Sequence, residues 1–213
     1  MIPALTALGI KPQVQQFFEP WLELNSDQKL SLTYSSQKTN LSEKEFITHH
    51  GSIAPLTTGI WCAGGHHPNS VRHNFLFYSG LEALSFCSMA TDWLVKPSFA
   101  VFSALGLCPS AGQISILEHR FPNARLHTVF GNDILGRITD CKVALWSKTK
   151  DALFQIEKDV IVGQYNGKIL QIPEPIFSLS LFEKKSNLRA GVRTHKPKAG
   201  ILTFSNLLRD NIF

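Results

Sequence analysis

Three short runs, HNFLFYS (73–79), FAVFSAL (99–105) and RLHTVFG (125–131), are apolar at nearly every position. Each lies between breakers: Pro68-Asn69 and Gly80, Pro97 and Gly106, Pro122-Asn123 and Gly131. That pattern predicts three strands. Strands without polar alternation fit a sheet covered by helices on both faces, hence a parallel one. Between them the period changes. LEALSFCSMATDWL (81–94) sets Leu81, Leu84, Ser85, Ser88 and Met89 on one side. SAGQISILEHRF (110–121) carries Ile114, Leu117 and Phe121 behind Ser110 as an N-cap. ILGRITDCKVALWSK (134–148) repeats Ile134, Ile138, Cys141, Leu145 and Trp146 at helical spacing. The expected fold is therefore α/β. Right-handed crossovers bring the carboxyl ends of the strands to one edge, where such sheets bind ligands. Tyr78, Ser79, Gly80, Leu105, Gly106, Gly131, Asn132 and Asp133 fall there.

The flanks read differently. Residues 1–24 open helically on Leu5, Leu8, Val14, Phe17, Phe18, Trp21 and Leu22. Residues 25–45 are polar and predict a surface loop or a poorly ordered strand pair, and the Gly- and Pro-punctuated 46–72 predicts short strands and turns. Asn166-Gly167 between two alternating runs predicts a β-hairpin over 159–172. The prolines at 173 and 175 start an extended piece that adds a further short element. The segment from Thr203 to the end reads as a short helix or strand packing Phe204, Leu207 and Leu208. These bounds give an extension (1–72), a core (73–150) and a hairpin with a basic segment (151–213), together one compact unit.

Composition narrows the class. With 44% hydrophobic and 17% charged residues in 213, the chain is globular rather than disordered. No apolar run is long enough for a transmembrane helix, so no membrane partner is expected. The opening MIPALTALGIKPQ has no basic leader and reads as structure rather than as a signal peptide. Cys62, Cys87, Cys108 and Cys141 are dispersed without a CxxC pair, the usage expected of a reduced, cytoplasmic protein without a zinc site. Within His49-His50 and His66-His67 the two rings of a pair point to opposite strand faces; a metal would need one histidine from each pair and a third ligand. LGLCPSAGQ (105–113) reads either as an anion-binding turn or as a plain strand–helix connection.

The net charge of +5 is unevenly placed. From Lys184 to Arg209 the chain holds Lys184, Lys185, Arg189, Arg193, Lys196, Lys198 and Arg209, with His195, and no acid. Such a segment either neutralises phosphates or simply keeps the protein soluble.

The wording of the central stretch resembles the Toprim domain of primases and topoisomerases, in the variant found in relaxase- and primase-related proteins of mobile elements. In that family the first strand ends in a glutamate and runs on as E-S-x-x-D-A-L-S; here it reads Tyr78-Ser79-Gly80-Leu81-Glu82-Ala83-Leu84-Ser85. The third strand there ends in D-x-D before a G-R; here it reads Gly131-Asn132-Asp133-Ile134-Leu135-Gly136-Arg137. Ser103-Ala104-Leu105-Gly106 is similar to the small-residue turn after the middle strand, and HHGSIAPLTTGIWCAGG to what precedes the domain. The resemblance implies a Toprim-like parallel sheet and metal-assisted phosphoryl transfer, with a glutamate as acid–base group and carboxylates holding Mg²⁺.

The acids depart from that pattern. Tyr78 stands at the glutamate and Gly131 at the first aspartate, leaving Glu82 and Asp133. A phenol titrating near 10 cannot replace a carboxylate at neutral pH. Two carboxylates hold at most a weakly bound Mg²⁺. Asp133 reads equally as the N-cap of 134–148, and Glu82 as an acid favoured by its helix dipole. Arg137 fits a phosphate contact or a neighbouring acid. The expectation is a non-catalytic Toprim-like protein, without cofactor or with weakly bound Mg²⁺, whose partners are nucleic acid or a replication or mobilisation protein. Its nucleic-acid contacts are expected at Arg137, Lys184, Lys185, Arg189, Arg193, Lys196 and Lys198. Two alternatives stay open: a Mg²⁺-dependent primase- or nuclease-like enzyme using Glu82 and Asp133, and a protein-interaction module without nucleic acid.

Overall fold

The computed structural model describes residues 1–25, 29–36, 42–94, 97–198 and 200–210. Two helices, α1 (Pro3–Ala7) and α2 (Pro12–Phe18), open the chain, each with a proline in its first turn. An antiparallel sheet follows in the order β1 (Glu23–Leu24), β2 (Leu30–Ser35), β3 (Ser42–Thr48) and β4 (Gly51–Ser52). Leu30, Leu32 and Tyr34 turn inward on β2, and Glu45 and Ile47 on β3. The polar stretch is thus a strand pair, although its positions 26–28 and 37–41 lie outside the described residues. So do 211–213 of the terminal segment.

Then come β5 (Trp61–Gly64), β6 (His73–Phe77), α3 (Gly80–Met89), β7 (Ala100–Ala104), α4 (Ala111–Arg120), β8 (Arg125–Thr128) and α5 (Ile134–Trp146). A meander of β9 (Leu153–Glu157), β10 (Val160–Tyr165) and β11 (Lys168–Pro173) precedes α6 (Leu179–Ser186), β12 (Arg193–Thr194) and α7 (Phe204–Asp210). Asn166 and Gly167 turn the β10–β11 hairpin at φ 48° and 72°, the left-handed geometry that this dipeptide accommodates.

The central sheet runs β12-β8-β6-β7-β5. β6, β7 and β8 are parallel as expected, and β12 adds a fourth parallel strand from the basic segment. The sheet is mixed rather than wholly parallel, because β5 lies antiparallel to β7 at the edge. That strand comes from the 1–72 extension, and the Ser35–Ile60 bridge ties its approach to the end of β2. Extension, core and C-terminal segment thus all contribute to the sheets, and the resulting class is mixed α/β.

Side chains alternate between the two faces of the central sheet. Phe75, Phe77 and Phe102 pack with Phe18 of α2, Leu84 of α3 and Leu207 of α7. On the opposite face Leu76, Val101 and Leu126 meet Ile114 and Leu117 of α4 and Val143 of α5. A third cluster joins Leu145 of α5 and Phe182 of α6 to Ile161 of the meander. α3 ends at Met89, five residues before its expected end, and a 3₁₀ turn (Thr91–Leu94) places Trp93 beside β6. No helix among the described residues is long and apolar enough to cross a membrane.

Candidate functional site

Adjacency of β6 and β8 brings Tyr78 and the 131–133 turn to the same carboxyl edge. The Tyr78 hydroxyl lies 2.6 Å from the Thr139 hydroxyl and 3.4 Å from the Leu135 carbonyl, the same carbonyl to which Thr139 directs its hydroxyl at 2.9 Å. The ring leans on Phe130 at 4.5 Å, and burial pushes the phenol well above its ordinary value. Asp133 caps α5, its carboxylate accepting from the Gly136 N–H at 2.6 Å. Glycine is required at 136, where a Cβ would sit 2.1 Å from the Gly131 carbonyl oxygen.

Glu82 faces away from Asp133's cap and serves another helix. Its carboxylate accepts from the Phe204 N–H at 3.0 Å, the Ser205 N–H at 3.3 Å and the Ser205 hydroxyl, at the start of α7. Burial raises its pKa, against the pull of those bonds. The two expected metal carboxylates are each bound into a different helix start and do not make a Mg²⁺ clamp. Among the described residues, no group of three or more His, Cys, Asp or Glu could hold a metal ion. His49 and His50 lie in the β3–β4 turn, and His66 rests on Trp21. All four cysteines are free thiols.

A carboxylate that reads as a surface charge in the sequence closes this edge from the other side. Glu45 is 0% exposed and accepts from the Tyr34 hydroxyl (2.6 Å), the Ser52 hydroxyl (2.5 Å) and the N–H groups of Gly80 (2.8 Å) and Leu81 (3.2 Å). It occupies the anion position at the start of α3. The corresponding position on α4 is closed by a capping box of Ser110 and Gln113, so 105–113 is a strand–helix connection.

The basic residues differ in how they are held. Lys196 is internal: it pairs with Asp140 at 2.7 Å and donates to the Phe130 and Gly131 carbonyls at 3.1 and 2.9 Å. Arg137 is held by the Glu174 and Phe177 carbonyls, and Lys185 by that of Gln171. Lys184, Lys185, Arg189, Arg193 and Lys198 are exposed. The segment that carries them packs along the sheet edge through β12, because β8 leaves that edge unpaired.

Sequence reading missed a chain of three imidazoles across the sheet. His73 Nδ1 lies 3.0 Å from His127 Nε2, and His127 Nδ1 lies 2.9 Å from His195 Nε2. His127 is 0% exposed beneath Phe75 and Trp93. Burial, the neighbouring histidines and then Arg193 and Arg125 push it down to about 3. Burial, then Arg193 and Arg125, lowers His73 as well; burial, then Arg193, lowers His195. His127 uses both ring nitrogens, one towards each neighbour, so the three cannot converge on one metal. The arrangement is a hydrogen-bonded relay of neutral rings, each donating to the next. No family model matches this chain, and no curated protein matches it either.

Proposed function

We propose that this chain is a non-catalytic, Toprim-like protein that acts in a nucleic-acid process, DNA replication or mobilisation, by binding rather than by chemistry. The observation that carries this reading is how the carboxylates around the carboxyl edge of the sheet are used. Glu45 is bound to α3, Glu82 to α7, Asp133 to α5 and Asp140 to Lys196. Metal-assisted phosphoryl transfer needs carboxylate oxygens that converge on the ion, and a group that can carry the proton. Tyr78, where the family has its glutamate, is buried further from ionisation and shares its hydroxyl hydrogen bond with Thr139. The exposed Arg189, Arg193 and Lys198 support contact with phosphate.

Primer synthesis and DNA relaxation with Mg²⁺ or Mn²⁺ are the assays, and no turnover is expected in either. Millimolar Mg²⁺ should also leave the thermal midpoint unchanged, since a ligand of the folded state alone would raise it. Turnover abolished by Asp133→Asn, in a variant that keeps its fold by circular dichroism, would overturn the reading and install the Mg²⁺-dependent enzyme.

A further inference from the structure

The histidine chain begins at the amino edge of the sheet, opposite the edge at which the resemblance places its chemistry. The register pairs His73 with Arg125 and His127 with Arg193. Paired residues of parallel neighbours project to the same side, so both guanidiniums share the face of the imidazoles. Both are exposed, and neither is in an ion pair among the described residues. Arg125 directs its Nε to the Gly191 carbonyl at 2.8 Å, which orients the group beside β12. Arg72, also exposed, immediately precedes His73. The Trp93 ring lies 5.1 Å from His73, and Asp92, the one charged residue of that turn, is exposed. Guanidiniums gathered beside a half-buried neutral imidazole, without an acid to answer them, are unfavourable until an anion joins.

We infer that the amino ends of β6, β8 and β12 form a phosphate site for a nucleic-acid backbone, held by Arg125 and Arg193, at which His73 takes up a proton as the phosphate binds. The inference rests on the nucleic-acid role proposed above and moves the main contact from Lys184 and Lys185 to the sheet edge. His73 engages the chain through Nδ1, which leaves Nε2 as its open end. A solvent proton on Nε2 faces the phosphate, while Nδ1–H donates to His127 Nε2 and His127 Nδ1–H to His195 Nε2. Every bond of the chain is kept, so the charge enters without breaking the buried network. An anion offsets the two guanidiniums that, after burial, lower the proton affinity of His73, and so raises that affinity. By linkage, affinity for the anion rises as pH falls.

The test uses the full chain and a fluorescent single-stranded oligothymidylate, read by anisotropy at low salt. Binding should be at least about threefold tighter near pH 6 than near pH 8, the range over which imidazoles change charge. The paired substitution Arg125→Ala/Arg193→Ala should weaken it at least about tenfold and lower the salt slope by about 1.4, two contacts at roughly 0.7 each. Both sites are exposed, so this variant should fold. His73→Gln should keep the salt slope and lose most of the pH dependence, and Lys184→Ala/Lys185→Ala should bind within about twofold of the unsubstituted chain. Oligonucleotide binding that is indifferent to the arginine pair overturns the site and leaves the general reading standing. Binding with equal affinity at both pH values overturns the proton uptake. Displacement by inorganic phosphate at sub-millimolar concentration marks a small-anion pocket and overturns the backbone as ligand. No binding at low salt by the unsubstituted chain removes the inference and the proposed function together.

Discussion

Glu45→Ala should lower the free energy of unfolding by about 3–5 kcal/mol, the range for stripping one partner from a buried charged network. The carboxylate accepts four hydrogen bonds at 0% exposure, two from hydroxyls and two from the first N–H groups of α3. Its removal takes the acceptor from the buried Tyr34 hydroxyl and Leu81 N–H, each unmet donor costing about 1–3 kcal/mol, and leaves Gly80 only its 3.2 Å bond to the Tyr34 hydroxyl, while the half-buried Ser52 can turn to water. It also withdraws a negative charge from a helix N-terminus. Tyr34→Phe should cost less, about 1–2 kcal/mol, since one donor leaves and Glu45 keeps three others. Urea unfolding followed by Trp fluorescence measures both, Trp61 lying in the same core. A Glu45→Ala loss below that of Tyr34→Phe would mean that water satisfies the start of α3.

The difference between what the sequence discloses and what it hides is visible in that network. β6, β7 and β8 are legible because they are apolar on both faces, and only a strand covered on both sides has such a run. α4 is legible from Ser110 as its N-cap and from Ile114, Leu117 and Phe121 at helical spacing, and the β10–β11 hairpin from Asn166-Gly167. Glu45 sits in Ser-Glu-Lys-Glu, a stretch that reads as solvated surface. Its role comes from the docking of β3 against the start of α3, which no local pattern encodes. The imidazole chain is hidden for the same reason. His73, His127 and His195 are 54 and 68 positions apart, and only the order β12-β8-β6 sets them side by side.

The site divides similarly. That Tyr78, Glu82 and 131–133 lie at strand ends follows from the strand–helix rhythm. That Glu82 caps α7 does not, since it depends on where a segment 122 residues later comes to rest. The basic segment misleads in composition alone. A chain rich in Lys and Arg reads as a tail, yet β12 supplies the backbone pairing that β8 lacks on its outer side, and pairing fixes the segment in place.

Lys196→Met should cost about 3 kcal/mol, because Asp140, 1% exposed, would keep its charge without a partner. The loss should depend on pH in a defined direction. Burial raises the folded-state pKa of Asp140, and Lys196, its nearest cation, pulls it back down. Without the lysine the folded-state value climbs further above the unfolded value of about 3.9. Between the two values the folded protein binds more protons than the unfolded chain, so stability falls as pH rises through that window. The deficit of Lys196→Met should therefore be largest near neutrality and shrink towards pH 5, as Asp140 takes a proton and ceases to be a buried charge. Adding Asp140→Asn should recover part of the loss at pH 7 and little at pH 5. Urea midpoints of the three chains at the two pH values measure this directly. A deficit equal at both would place its origin in the lost bonds to the Phe130 and Gly131 carbonyls rather than in the charge.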